Sequence, residues 1–131
     1  MRRRWIWVVG YVSLIFTLSS MPHLAPPSGI DNADKVAHFL EYFVLGVLLA
    51  RGWMTSSPPG SPLRTWMLTI ITGTVIAALD EIYQGTVGRQ RSVADWVADN
   101  VGLIAGGGVV ARGYLDRILD RIHDRMERKS S

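Results

Sequence analysis

Three short clusters place residues able to do chemistry inside or beside long apolar stretches: Asp34-Lys35-Val36-Ala37-His38, Asp80-Glu81-Ile82-Tyr83-Gln84 and Asp95-Trp96-Val97-Ala98-Asp99. Ionisable groups in or near hydrocarbon cost several kcal/mol unless they are paired or hydrated, so each cluster marks a candidate site. Asp34, His38, Glu41 and Leu45 recur at spacings of three and four and share one helical face, with Tyr42 close by. The same spacing also fits a plain helix start, with Asp34 as N-cap or first-turn anion and His38 hydrogen-bonded to it. Asp80 and Gln84 lie one turn apart, and Thr69, Gly73 and Ala77 lead towards them as a small stripe suited to close packing. Glu81 points about 100° away from that face.

The neighbouring acids Asp80 and Glu81 invite general acid–base chemistry, because adjacent carboxylates push one another's proton affinities apart. A structural pairing with Arg89 or Arg91 explains them equally well. Asp95, Asp99, Gly102, Gly106 and Gly113 fall on one face of a later helix, and Gly102 and Gly106 make a Gly-x-x-x-Gly step that admits a close neighbour. His38, Asp80, Asp95 and Asp99 together offer ligands of the kind Zn²⁺ or Mn²⁺ accepts. No two His residues take the spacing of zinc hydrolases, and the expectation is of no metal and no cofactor. Ser92 lacks the Gly-x-Ser-x-Gly surroundings of an activated nucleophile.

The elements that must position these groups are helices. The mean hydropathy is +0.18 although both ends of the chain are charged, because the apolar residues are grouped into runs. Four runs, over about 5–20, 36–53, 65–83 and 93–111, each approach the length needed to cross a bilayer. The expected fold is therefore all-α: an integral membrane bundle of four transmembrane helices in a domain over 1–111. A basic amphipathic tail over 112–131 follows, with Leu115, Ile118, Leu119, Ile122 and Met126 as its stripe. That tail suits the membrane surface or pairing with a second copy. A cleaved signal peptide is the alternative for the first run, since Arg2-Arg3-Arg4 precede it. There is no cysteine, which excludes disulfides and thiolate metal sites.

Arginine placement sets the expected orientation. The N-terminal triplet, the turn flanked by Arg51 and Arg64, and the Arg-rich tail belong in the cytoplasm, so four spans leave both termini inside. The net charge of +3 is thereby accounted for without nucleic acid, for which no motif is present. The hairpin over 85–92 is then external although it holds Arg89 and Arg91. All three clusters fall at the external level too, which assembles Asp34, Lys35, His38, Tyr42, Asp80, Glu81, Gln84, Arg89, Arg91, Asp95 and Asp99 as one candidate site.

The motifs Asp34-Lys35-x-x-His38-Phe39-x-x-Tyr42-x-x-Leu45, Asp80-Glu81-x-x-Gln84, Gly88-Arg89 and Asp95-x-x-x-Asp99-x-x-Gly102-x-x-x-Gly106 resemble, in this order, the VanZ-like family of small bacterial multi-pass membrane proteins. Tyr83 stands where many members have His, Gly88-Arg89 lacks the usual preceding Pro, and Asp99 stands where many have Asn. The family's namesake is associated with resistance to the glycopeptide teicoplanin. The resemblance implies a bacterial cell-membrane protein with a role near the envelope and membrane lipids as partners. Within that frame the expected ligand is an anionic lipid or lipid-linked envelope precursor held by Arg89, with His38 as proton carrier. An enzyme acting on a lipid or polyprenyl phosphate, and a structural accessory subunit, are the alternatives.

Overall fold

The structure is a computed structural model and describes residues 2–21, 33–56, 61–89 and 92–130. The described residues form four helices: α1 (Arg2–Ser19), α2 (Ala33–Ser56), α3 (Pro62–Thr86) and α4 (Val93–Ser130). The all-α expectation is met, and there is no strand among the described residues. Pro62 opens α3 where its missing N–H costs nothing, since the first amides of a helix have no intrahelical acceptor. At the other end Gly88 takes φ +82°, and the Arg89 amide donates to the Gln84 carbonyl at 3.0 Å. That is the long hydrogen bond of a left-handed helix cap, and it fixes where Arg89 leaves the helix.

The fourth run over 93–111 and the amphipathic helix expected after it form one continuous helix. α4 runs unbroken through the glycines at 106–108 and 113 into the tail. Nothing in the sequence stops it: no Pro occurs beyond Pro62, and a single Gly costs a helix interior only about 1 kcal/mol. The amphipathic tail is thus an extension of the fourth helix, with Leu115, Leu119, Ile122 and Met126 exposed. α3 and the stretch Val93–Met126 of α4 are long and apolar enough to cross a membrane.

The core is built on α2 and α4, which share the most extensive contact. Glycine decides it: a Cβ on Gly102 would collide with the Phe39 carbonyl oxygen, and one on Gly106 with the Phe43 carbonyl oxygen. A Cβ on Gly46 would reach 2.8 Å from the Leu103 carbonyl oxygen, so the approach is reciprocal. Gly113, expected on the same face, meets nothing within 4 Å and instead lines a cavity at the far end. α3 brings the buried stripe Thr65, Thr69, Gly73 and Ala77 against this pair, with Gly73 leaving room for the Leu103 side chain.

α1 packs on α2 and α3, burying Val8 and Ile15. Trp5 meets Trp53 edge-on with centroids 4.9 Å apart, and Phe16 meets Tyr83 at 5.5 Å. The Tyr11 hydroxyl donates to the Glu41 carbonyl at 3.1 Å. Trp5 is therefore a packing residue, whereas Trp7 stays 71% exposed, as an interfacial anchor would be.

Candidate functional site

The up-and-down path brings the C-terminal ends of α1 and α3 together with the N-terminal ends of α2 and α4. Ser19, Asp34 to Tyr42, Asp80 to Arg89 and Ser92 to Asp99 therefore meet at one end of the bundle. Among the candidate residues only Arg91 lies outside the described residues.

His38 is the centre. It is 7% exposed, and its Nδ1 is 2.9 Å from Oδ1 of the fully buried Asp99. Its Nε2 lies 3.9 Å from Oδ2 of Asp95, so two acids one turn apart on α4 flank the same imidazole. The pair on α4 answers the i, i+4 spacing of the sequence directly. A neutral imidazole has one N–H and one lone pair, and a carboxylate on each side orients the ring.

Asp80 is 1% exposed and accepts a 2.9 Å hydrogen bond from Gln84 Nε2, which also approaches Ser19 Oγ at 3.4 Å. Glu81 turns to α4, where its Oε2 accepts the Ser92 amide N–H at 2.9 Å. Ser92 in turn caps α4, its Oγ accepting the Asp95 amide N–H at 3.2 Å. The two neighbouring acids thus face different partners: Asp80 the α1–α3 side and Glu81 the α3–α4 turn. Neither Ser19 nor Ser92 was expected here. The Ser-x-x-Asp spacing at 92–95 is a legible capping signal, but nothing around Ser19 announces its role.

Lys35 bridges the rim, with Nζ 3.1 Å from Asp34 and 3.6 Å from Asp95. The Lys35 ammonium hydrogen-bonded to it holds the Asp34 carboxyl below its ordinary value. Asp34 is the most exposed acid of the group, so it belongs to the mouth of the site and contributes little to stability. A cavity of about 350 Å³ opens between Leu18, Ser19, Asp34, His38, Glu41 and Arg89. Among the described residues no carboxylate comes within ion-pair distance of Arg89, so the expected pairing of that arginine with Asp80 or Glu81 does not occur. Glu41, which shares the His38 face, lines the cavity and belongs to the site.

Beneath the cavity the acids are under-satisfied. Asp80 Oδ1, Glu81 Oε1, Asp95 Oδ1, Asp99 Oδ2 and the Tyr42 hydroxyl are buried without a hydrogen-bond partner. His38, Glu81 and Asp99 each present a donor atom within 4.8 Å of the other two. The set differs from the one the sequence offered, since Glu81 joins and Asp80 and Asp95 do not. The opposite end carries a separate cavity of about 500 Å³ lined by Arg4, Arg51 and Arg117 and by no acid, so the two ends of the bundle differ sharply in charge.

Gly88 supplies a direct test of how Arg89 is held. Gly88→Ala meets no neighbour but must keep φ at +82°, which costs a residue with a Cβ about 1–2 kcal/mol. The expected result is a small loss of thermal stability with a larger, several-fold loss of anionic-ligand binding, both read on the same purified sample. Equal losses in the two would mean that the turn does not serve Arg89.

No protein-family model, no curated protein and no solved structure matches this chain.

Proposed function

We propose that this chain is a VanZ-like protein of the bacterial cell membrane, crossing it four times with both termini cytoplasmic. Its external pocket binds the anionic headgroup of a lipid or lipid-linked envelope precursor. The membrane half of this reading is supported by an inverted distribution of polarity. On α3 the residues facing outward are Leu63, Met67, Ile71, Val75, Leu79 and Ile82, all more than half exposed. Inside lie His38, Asp80, Glu81, Gln84, Asp95 and Asp99. Water would favour the reverse arrangement, whereas hydrocarbon around the bundle suits this one.

The single observation that carries the ligand is Arg89: a guanidinium on the wall of the cavity it shares with Asp34, His38 and Glu41, its backbone set by the Gly88 cap and with no carboxylate at ion-pair distance among the described residues. Guanidinium matches phosphate with two parallel hydrogen bonds, and removing such a charge-assisted contact costs about 1.5–3 kcal/mol. Arg89→Ala is therefore expected to weaken binding of a polyprenyl phosphate or phosphatidic acid by roughly 10- to 100-fold, read by titration in nanodiscs. Unchanged affinity in a folded Arg89→Ala protein would sink the proposal. A catalytic reading is favoured by the His38–Asp99 pair alone; release of phosphate from either lipid by the purified protein would establish it.

A further inference from the structure

Among the described residues the buried acids outnumber the cations placed against them. Asp80, Glu81, Asp95 and Asp99 are all at most 9% exposed and each keeps one oxygen with no hydrogen-bond partner. Among the described residues one fixed positive charge stands at ion-pair distance from them, Lys35, which divides itself between Asp34 and Asp95. Removing a carboxylate from water is strongly unfavourable unless it is paired or bound to a metal. Three of the relevant side chains come from three helices and point into one small volume, with the donor atoms of His38, Glu81 and Asp99 within 4.8 Å of one another.

The distances suit an ion. Ligands about 2.1 Å from one centre sit about 3.0 Å apart when adjacent in an octahedron and about 3.4 Å apart in a tetrahedron. His38 Nδ1 and Asp99 Oδ1 are 2.9 Å apart. In an octahedron opposite ligands are about 4.2 Å apart, so one pair near the 4.8 Å limit closes by well under an ångström, whereas a tetrahedral ion needs a closure of up to about 1.4 Å. One imidazole with two carboxylates favours Zn²⁺ or Mn²⁺ over Ca²⁺, which takes oxygen alone.

We propose that His38, Glu81 and Asp99 form a divalent-metal site, with Asp95 beside the His38 ring as its outer partner. Three protein ligands leave a coordination position open, as in metal sites that take up a further ligand and unlike the closed four-ligand structural ones. His38 belongs to both the triad and the cavity wall, so the ion lies at the floor of the cavity that Arg89 flanks. A phosphate oxygen entering from that side would meet the metal below and the guanidinium above. The metal site stands on the triad alone and holds whichever headgroup the cavity accepts.

The test uses the full chain in detergent, stripped with EDTA, exposed separately to Zn²⁺ and Mn²⁺ and freed of excess ion by gel filtration. About one ion per chain is expected for at least one of the two metals. Glu81→Gln and Asp99→Asn should each lower the affinity at least tenfold, while Asp120→Asn, exposed on the tail far along α4, should leave it unchanged. Co²⁺ gives a second readout: its visible absorption should develop in the wild type and change in His38→Gln. Less than about 0.1 ion per chain of either metal on the wild type would overturn the site whatever the variants do. So would full retention by both Glu81→Gln and Asp99→Asn. Because no lipid is present, failure here leaves the Arg89 reading standing, and failure of Arg89→Ala leaves the metal site standing.

Discussion

Gly106→Val is expected to abolish the folded monomer. A Cβ at this position falls onto the Phe43 carbonyl oxygen and lies 3.2 Å from the Val47 amide nitrogen, so the obstacle is backbone that cannot rotate away. The helices must separate, and α2 and α4 then lose the contact on which the core is built. Overpacking a tight core typically costs about 1–3 kcal/mol, and a backbone-to-backbone clash belongs at or beyond the upper end. Gly113→Val is the matched control, since nothing lies within 4 Å of that position. The pair is compared by thermal unfolding and gel filtration in the same detergent. A Gly106→Val protein as stable as Gly113→Val would mean that the close crossing does not hold the bundle together.

The second large effect has the opposite sign. Asp80→Asn should raise the thermal stability of the metal-free protein while lowering whatever activity the site performs. Asp80 is 1% exposed, with Oδ1 unpartnered and Oδ2 held by Gln84. The amide keeps an oxygen for Gln84 and removes a buried charge. Burying an ion costs several kcal/mol unless its partners compensate it, and the neutral amide avoids that cost. Active and binding sites often give up stability for function, and Asp80 lies among the unsatisfied acids at that end of the bundle. A marked fall in unfolding temperature would show instead that Asp80 is a structural group whose charge is fully compensated.

The places where polar residues interrupt apolar runs were legible in the sequence, and they do converge on one end of the bundle. This worked because helical spacing of three and four fixes which residues share a face, as His38 with Tyr42 and Asp95 with Asp99. The glycines at 102 and 106 were legible for the same reason. Gly113 continues the spacing but not the contact, since periodicity says which face a residue takes and not how far the neighbour extends. Glu81 shows the other limit: its partner is the Ser92 amide, a backbone group across a turn, and no residue type signals that bond. The run of the fourth helix into the tail was missed because a change in composition was read as a change in structure. Arg91 remains an expectation outside the described residues.

The tight crossing of α2 on α4 also constrains the order of events during synthesis. Phe39 and Phe43 must wait for Gly102 and Gly106, which emerge only after the whole of α3. Until then His38 has neither of its flanking aspartates, and the ribosome delivers an acidic α3 end with no α4 amide to receive it. A nascent chain arrested before residue 95 therefore leaves the imidazole and the α3 acids without the partners that α4 brings.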